Sequence, residues 1–337
     1  MFQTELNHFL QSFESQWLTL LMNGISNLGY APFYVLMVVI LAFGVDFKRG
    51  FLLLQAIFLS AILVNTAKNY FQLPRPLDVD NSLRSMGEYY NDPNTQFKRQ
   101  GATHFWAFPP TEVVQYYRLK KLNSYGFPSG HVAVTLTFWL SIGLLFGYRW
   151  VWWVAGFMSV AMPLSRMYLG KHFLADVLGG LGIALVASMF FYEILHRRQL
   201  FDKYLAWQRF KDPQTTQLQG FFAFLLIVPL LNCFNFLGDI GLSFQWLGTN
   251  VAFMWVAWWG FPANQALLWQ RALRVTIGLV VYISMEVLFR TLNTQLAITA
   301  NHWVWVEKFV TNFMLIGLTI VLCLQAKLYH PSVTTKV

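Results

Sequence analysis

Three short polar clusters carry the residue types that phosphate chemistry requires, and each lies at the edge of a strongly apolar run. The first extends from Lys68 to Pro76, the second from Pro128 to His131, and the third from Ser165 to Asp176. Together they provide lysine and arginine anchors, a serine, a glycine, two histidines and a carboxylate. Such groups can hold a phosphate dianion and transfer its phosphorus from one atom to another.

The third cluster contains His172 and Asp176, which are four residues apart. A helix that begins near His172 would place both side chains on one face, one turn apart. A carboxylate bonded to one imidazole nitrogen fixes the tautomer and leaves the other nitrogen able to attack phosphorus. Taken alone, the same spacing also fits a satisfied polar pair at a helix start.

The second cluster, Pro128-Ser129-Gly130-His131, opens an apolar run. The first N–H groups of a helix that starts here would bind a phosphate, and Gly130 would let the anion approach the backbone closely. His131 beside that anion would favour its charged form and donate a proton to a leaving oxygen. A simple turn with an N-cap is the alternative interpretation.

The first cluster contains Lys68 and Arg75, seven residues or about two helical turns apart. Pro74 and Pro76 are expected to stop the helix at the membrane edge. Both cations could converge on phosphate oxygens, although basic residues at a helix end also extend towards water without any ligand. The conjunction of three clusters, each supplying a different part of one site, favours phosphoryl transfer.

These motifs resemble the type 2 phosphatidic acid phosphatase family, which includes vanadium haloperoxidases and glucose-6-phosphatase. The family patterns Lys-x6-Arg-Pro, Pro-Ser-Gly-His and Ser-Arg-x5-His-x3-Asp all occur without departure. The resemblance implies that His172 is a nucleophile that forms a phosphohistidine, that Asp176 orients it and that His131 is the general acid. It implies phosphate binding by Lys68, Arg75, Ser129, Gly130 and Arg166, with no metal and no cofactor.

Composition predicts a membrane protein. Of the 337 residues, 56% are hydrophobic and 12% charged, whereas a soluble domain carries about 25% charged residues. The net charge of +9 lies largely in loops between apolar runs, where it sets orientation, so no nucleic-acid partner is expected. Cys233 and Cys323 lie within apolar runs and are expected to be core residues.

We predict an all-α fold, a polytopic transmembrane helical bundle of about nine spans. The predicted spans are Ala31–Gly44, Phe51–Tyr70, Val132–Gly147, Val151–Leu164, Phe173–Leu195, Phe221–Leu237, Val251–Leu268, Val275–Leu288 and Phe309–Leu324. The fourth is short for a bilayer, and extending it through Tyr168 places Arg166 at the end of its helix.

The chain is expected to have three parts. Residues 1–30 form an N-terminal helix at the membrane surface, 31–212 a phosphatase-type membrane core, and 213–337 additional C-terminal transmembrane helices. An extramembrane insert, 77–127, separates the second and third spans. It is rich in aromatic residues and is therefore expected to be ordered.

The positive-inside rule places the basic loop at 46–50 in the cytoplasm. Alternation then puts the N-terminus outside, the C-terminus inside and all three clusters at the outer face. We therefore expect an integral protein of a bacterial inner (plasma) membrane with its site on the periplasmic or external face.

The predicted enzyme hydrolyses a lipid phosphomonoester or pyrophosphate, because apolar helices around the site would accommodate an acyl or prenyl chain. Candidate substrates are phosphatidic acid, phosphatidylglycerol phosphate and undecaprenyl diphosphate. Membrane lipids are its surroundings, and its oligomeric state is left open. The alternatives are a sugar-phosphate phosphatase of the glucose-6-phosphatase type, a lipid phosphotransferase and a non-catalytic lipid-binding protein.

Overall fold

A computed structural model describes residues 1–87, 95–193, 200–234, 239–296 and 301–329. Within these ranges the chain forms helices and no β-strand, which confirms the all-α prediction. The chain divides into two compact units. Unit 1 comprises Met1–Tyr34 and Leu59–Met189, and unit 2 comprises Val35–Phe58 and Phe190–Val337. The three-part division predicted from the sequence stays a prediction.

Unit 1 contains every residue of the three polar clusters. Its helices are α1 (Glu5–Gln11), α2 (Gln16–Asn27), α5 (Pro76–Val79), α6 (Thr111–Lys120), α7 (Gly130–Phe146), α8 (Arg149–Tyr168) and α9 (Leu174–Tyr192), together with parts of α3 (Ala31–Val39) and α4 (Phe47–Phe71). Helices α3 and α4 are each divided between the two units, and the last three residues of α9 belong to unit 2.

Unit 2 contains a short π-helix and six further α-helices in its described residues. They are the π-helix Ile40–Val45, α10 (Leu200–Ala206), α11 (Gln214–Gln217), α12 (Gln219–Cys233), α13 (Ile240–Trp259), α14 (Leu268–Gln295) and α15 (Asn301–Gln325). A buried polar network joins Gln55 to Asn250 at 2.9 Å and to the indole N–H of Trp246 at 2.5 Å. Cys323 is buried, as expected of a core residue, whereas Cys233 is only half-buried.

Local sequence explains where the helices around the polar clusters begin and end. Helix α7 starts at Gly130, directly after Ser129, and ends before Gly147, whose φ of +73° suits a left-handed C-cap. Helix α8 extends to Tyr168 with Arg166 in its last turn, as predicted. Helix α4 ends at Phe71, three residues before Pro74, so Lys68 and Arg75 do not lie on one continuous helix.

The prediction of about nine spans exceeds what the helices support. By length and composition, four described helices could cross a membrane, and a bent pair, Gln16–Asn27 with Ala31–Val45, would make a fifth. Helices α7 and α12 are apolar but have 17 and 15 residues. Helices α8 and α13 have 20 residues each, but their tryptophans and polar residues lower their hydropathy. The predicted ends at Leu195 and Leu237 lie outside the described residues.

Residues 1–30 form two helices rather than one. Ser15 separates them, because its hydroxyl accepts a hydrogen bond from Leu18 N at 3.3 Å and caps α2. Large apolar side chains on this segment are exposed, among them Phe9, Phe13 and Trp17. Such a surface is compatible with contact with lipid, and the location at a membrane interface stays a prediction.

The described part of the insert 77–127 is ordered, and residues 88–94 lie outside the described ranges. Helix α6 contributes Val113, Val114 and Tyr117 to a buried apolar cluster that includes Phe2 and Phe173. Phe173 directly follows His172. The insert therefore takes part in the packing that supports the third polar cluster.

Candidate active site

His172 and Asp176 form a buried pair at the start of α9. The imidazole Nδ1 lies 3.3 Å from Asp176 Oδ2, and the two side chains are 1% and 0% exposed. The same oxygen accepts a hydrogen bond from Phe173 N at 2.9 Å. Since α9 begins at Leu174, the histidine precedes the helix and the aspartate lies in its first turn. With Nδ1 directed at the carboxylate, Nε2 is the nitrogen left to act on a substrate.

The loop between α8 and α9 is held by a residue from the N-terminal segment. The side-chain amide of Asn7 donates to Met167 O at 2.8 Å and to His172 O at 3.1 Å. Within this loop Gly170 adopts a φ of +73°, a conformation that costs other residues more than glycine. Helix α1 therefore positions the backbone of His172, a role that its sequence does not indicate.

A backbone hydrogen bond connects the Pro-Ser-Gly-His cluster to Asp176. Ser129 N donates to Asp176 O at 2.8 Å. A Cβ atom at Gly180 would lie 2.6 Å from Ser129 O, so only glycine allows α7 and α9 to approach this closely here. Ser129 Oγ and His131 Nε2 are buried, and neither has a hydrogen-bond partner among the described residues. Both atoms can therefore serve a ligand.

Lys68 and Arg75 meet at Ser124, a residue that sequence reasoning did not single out. Arg75 donates from Nη2 to Ser124 Oγ at 2.8 Å and from Nε to Ser124 O at 3.1 Å. Lys68 Nζ donates to the same hydroxyl at 3.2 Å. No spacing rule links Ser124 to the other two, because the insert brings them together through tertiary structure.

Arg166 is almost fully buried and bonds to the N-terminal helix α2. Its Nη1 donates to Ser26 Oγ at 2.7 Å, and the neighbouring Ser165 donates from its hydroxyl to Met22 O at 2.7 Å. These contacts dock the end of α8 on α2. Ser26 is a second residue that the motifs did not reveal.

Residues from all three clusters affect the pKa of His172. Burial, together with the positive charges of Arg75, Arg166 and Lys68, lowers the pKa of His172 well below its ordinary value of 6.5. His131 acts in the same direction. Cations from the first and third clusters and the histidine of the second therefore all act on a single imidazole. A neutral imidazole retains the lone pair that nucleophilic attack requires.

A second histidine–aspartate pair occurs in unit 1, between residues that the motifs do not include. His8 Nε2 lies 2.9 Å from the buried Asp80 Oδ2. Burial alone would raise the pKa of Asp80, but hydrogen bonds from Ser82 and His8 lower it below the ordinary 3.8.

Within the described ranges, no group of three or more His, Cys, Asp or Glu residues is arranged to hold a metal ion. Metal independence stays a prediction.

Comparisons with known proteins agree with one another on the family that this chain resembles. The PAP2 superfamily model matches residues 49–200. Phosphatidylglycerophosphatase B of Bacillus subtilis is 28% identical over 183 residues, covering 50% of this chain and 71% of that protein. Lipid A 4'-phosphatase of Porphyromonas gingivalis is 29% identical over 72 residues, covering 21% of this chain and 30% of that protein.

A solved structure, that of Aquifex aeolicus LpxE, matches with a TM-score of 0.39 at 19% identity, covering 56% of this chain and 94% of that chain. The matched segment 49–200 contains all of the candidate site residues, Lys68, Arg75, Ser129, Gly130, His131, Arg166, His172 and Asp176. Residues 49–200 therefore match the PAP2 superfamily, which confirms the resemblance drawn from the three motifs.

Proposed function

We propose that this protein hydrolyses a lipid phosphomonoester or pyrophosphate at the outer face of a membrane, through a phosphohistidine formed on His172. The observation that carries the proposal is the buried His172–Asp176 pair, with Ser129 N bonded to Asp176 O at 2.8 Å and Arg75 Nη1 donating at 3.5 Å to Lys171 O, directly before His172. Its relatives, a phosphatidylglycerophosphatase B and a lipid A 4'-phosphatase, are named as phosphatases. Several helices are long and apolar enough for an integral membrane protein.

In the first step, His172 Nε2 attacks the phosphorus and the bond from phosphorus to the leaving oxygen breaks. Asp176 stabilises the positive charge that develops on the imidazole, because its carboxylate faces Nδ1. His131 Nε2, which has no other partner in the described part of the chain, donates the proton that the leaving oxygen needs.

In the second step, a water molecule attacks the phosphohistidine and the bond between nitrogen and phosphorus breaks. His131, now neutral, accepts the proton from that water, so that the enzyme returns to its starting state as phosphate leaves. In both steps the phosphoryl oxygens carry negative charge. Lys68, Arg75, Arg166 and the N–H groups at the start of α7 bind these oxygens in our mechanism, and they supply the charge neutralisation without a metal ion.

A lipid substrate follows from the surroundings of the site. The helices that carry the clusters expose large apolar side chains, including Leu178 on α9 and Val160 on α8. An acyl or prenyl chain can lie against such a surface while the phosphate occupies the polar site. The positive-inside rule supports the outer face, because the basic loop at 46–50 is then cytoplasmic.

A substrate panel tests the proposal. Full-length protein in detergent is incubated with phosphatidic acid, phosphatidylglycerol phosphate, a prenyl diphosphate and glucose 6-phosphate, and released phosphate is measured. We expect release from at least one lipid and none from the sugar phosphate. His172→Ala should abolish release and His131→Ala should slow it strongly. Release by the His172→Ala variant at the wild-type rate would refute the nucleophile.

Three further measurements separate hydrolysis from other mechanisms. Vanadate, which adopts the geometry of the phosphoryl transition state, should inhibit, and EDTA should have no effect. A strict requirement for magnesium would contradict the proposed charge neutralisation by side chains. Phosphate release that occurs only when an acceptor lipid is added would replace hydrolysis by phosphotransfer.

A further inference from the structure

An open cleft of about 560 Å³ lies beside the site and takes most of its wall from the N-terminal helix α2 and the residues that follow it. In the described part of the chain its lining consists of Asn23, Ser26, Asn27, Tyr30, Pro32, Gly87, Arg166, Leu169 and Lys171. The residues from Asn23 to Pro32 lie outside the segment 49–200 that matches the superfamily. The α2 side of the cleft therefore lies outside the segment that matches the superfamily, and the side formed by Arg166 and Lys171 lies within it.

The cleft borders Tyr30, which contacts the proposed proton donor His131. The ring of Tyr30 meets the ring of His131 edge to face, with 4.5 Å between the ring centroids. His131 is the proposed donor to the leaving oxygen, so the part of the substrate beyond that oxygen points past Tyr30. Arg166, which lines the cleft and bonds to Ser26, connects it to the scissile phosphate.

The chemistry of the lining selects a particular kind of leaving group. Both charged residues among the described lining, Arg166 and Lys171, are cations. Lys171 is 2% exposed and its Nζ donates to Gly87 O at 3.2 Å, which places the ammonium in the wall. The amides of Asn23 and Asn27 and the hydroxyl of Tyr30 add hydrogen-bonding groups to the lining.

We propose, on the basis of the proposed phosphatase function, that this cleft binds a second phosphate group, carried by the leaving group of the substrate, and that Lys171 pairs with it. The preferred substrates then carry two phosphorus groups, as a phosphatidylglycerol phosphate or a prenyl diphosphate does. Phosphatidic acid, whose leaving group is an uncharged diacylglycerol, cannot make this contact. Lys171 is thus a specificity-determining residue.

The test is the ratio of two specificity constants, measured with full-length protein in detergent micelles. For each variant, kcat/KM for phosphatidylglycerol phosphate is divided by kcat/KM for phosphatidic acid. A charge-assisted hydrogen bond to a phosphate oxygen changes affinity by about tenfold or more. Lys171→Gln should therefore lower the ratio about tenfold, and Lys171→Arg should restore most of it.

Two other variants make the test robust. Asn27→Asp introduces a negative charge at an exposed position on the α2 side of the cleft and should lower the ratio even if Lys171→Gln folds poorly. Lys98→Gln removes an exposed lysine from unit 1 that does not line the cleft and should leave the ratio unchanged.

The outcomes are distinguishable. A ratio that stays constant in Lys171→Gln and Asn27→Asp, with both lipids still hydrolysed, would overturn the second phosphate site and leave the phosphatase function intact. Equal losses for both lipids would assign Lys171 to the scissile phosphate or to folding and would also overturn it. Failure of the wild-type protein to hydrolyse either lipid would refute the phosphatase function itself.

Discussion

Asp176→Asn tests how much of the reaction depends on the orientation of His172. The substitution preserves the size of the side chain and leaves the backbone carbonyl that accepts from Ser129 N in place. It removes the negative charge from the oxygen that lies 3.3 Å from Nδ1. It also introduces an NH2 group, which can donate to Nδ1 and thereby shift the imidazole proton to Nε2, the atom proposed to attack phosphorus.

The two effects differ in size. Loss of a charge-assisted hydrogen bond is worth about 1.5–3 kcal/mol, and because this one is long, the lower value, about a tenfold loss of rate, applies. The wrong tautomer costs more, since Nε2 then lacks its lone pair. For the equivalent carboxylate of serine-protease triads the substitution lowers kcat about 10⁴-fold. We therefore expect kcat to fall by about 10²–10⁴-fold, with KM changed much less.

Rapid-quench measurement of the phosphoenzyme, using a radiolabelled lipid phosphate and an alkaline quench, isolates the step in question. Asp80→Asn is the matched control, because it replaces the buried carboxylate of the second histidine–aspartate pair, 2.9 Å from His8. Both variants are compared by thermal unfolding in detergent. If Asp176→Asn forms phosphoenzyme within threefold of the wild-type rate, the orienting role is wrong.

Three other outcomes follow from the same geometry. Arg75→Lys should lower kcat/KM at least tenfold, since lysine cannot reproduce the two donors that Arg75 directs from one plane. The acid limb of kcat/KM should lie below pH 6.5, because the lowered pKa keeps His172 neutral until more acid is added. Removing one of the responsible cations in Arg75→Gln raises that pKa, so the limb should move to higher pH. Gly170→Ala should destabilise the protein by about 1–2 kcal/mol in thermal or denaturant unfolding, since alanine is strained at positive φ.

Local sequence patterns were sufficient to predict many of the helices around the site. Repeated apolar residues predicted helices, and the short fourth span correctly required extension to Tyr168. The spacing of His172 and Asp176 predicted their pairing, although the helix begins two residues later than the histidine. These features depend on residues within a few positions of one another, so periodicity and capping rules reach them.

Other features depend on residues far apart in the chain, and no local pattern encodes them. Ser124 joins Lys68 to Arg75 across the insert, and Ser26 joins α2 to Arg166. The number of spans was overestimated because a hydropathy run does not specify helix length, and α7 has only 17 residues. Asn7, which clamps the loop before α9, looked like an ordinary polar residue of a surface helix.

The close approach of α7 and α9 at Gly180 has a consequence for how enzymes of this kind diversify. A single added methyl group there would collide with a backbone oxygen at 2.6 Å, which cannot rotate away as a side chain could. Substitutions at Gly180 therefore cannot gradually adjust the spacing between the segments that carry His131 and His172. New selectivity has to arise at positions that take no part in this contact, such as the exposed Asn27 on the α2 wall of the cleft.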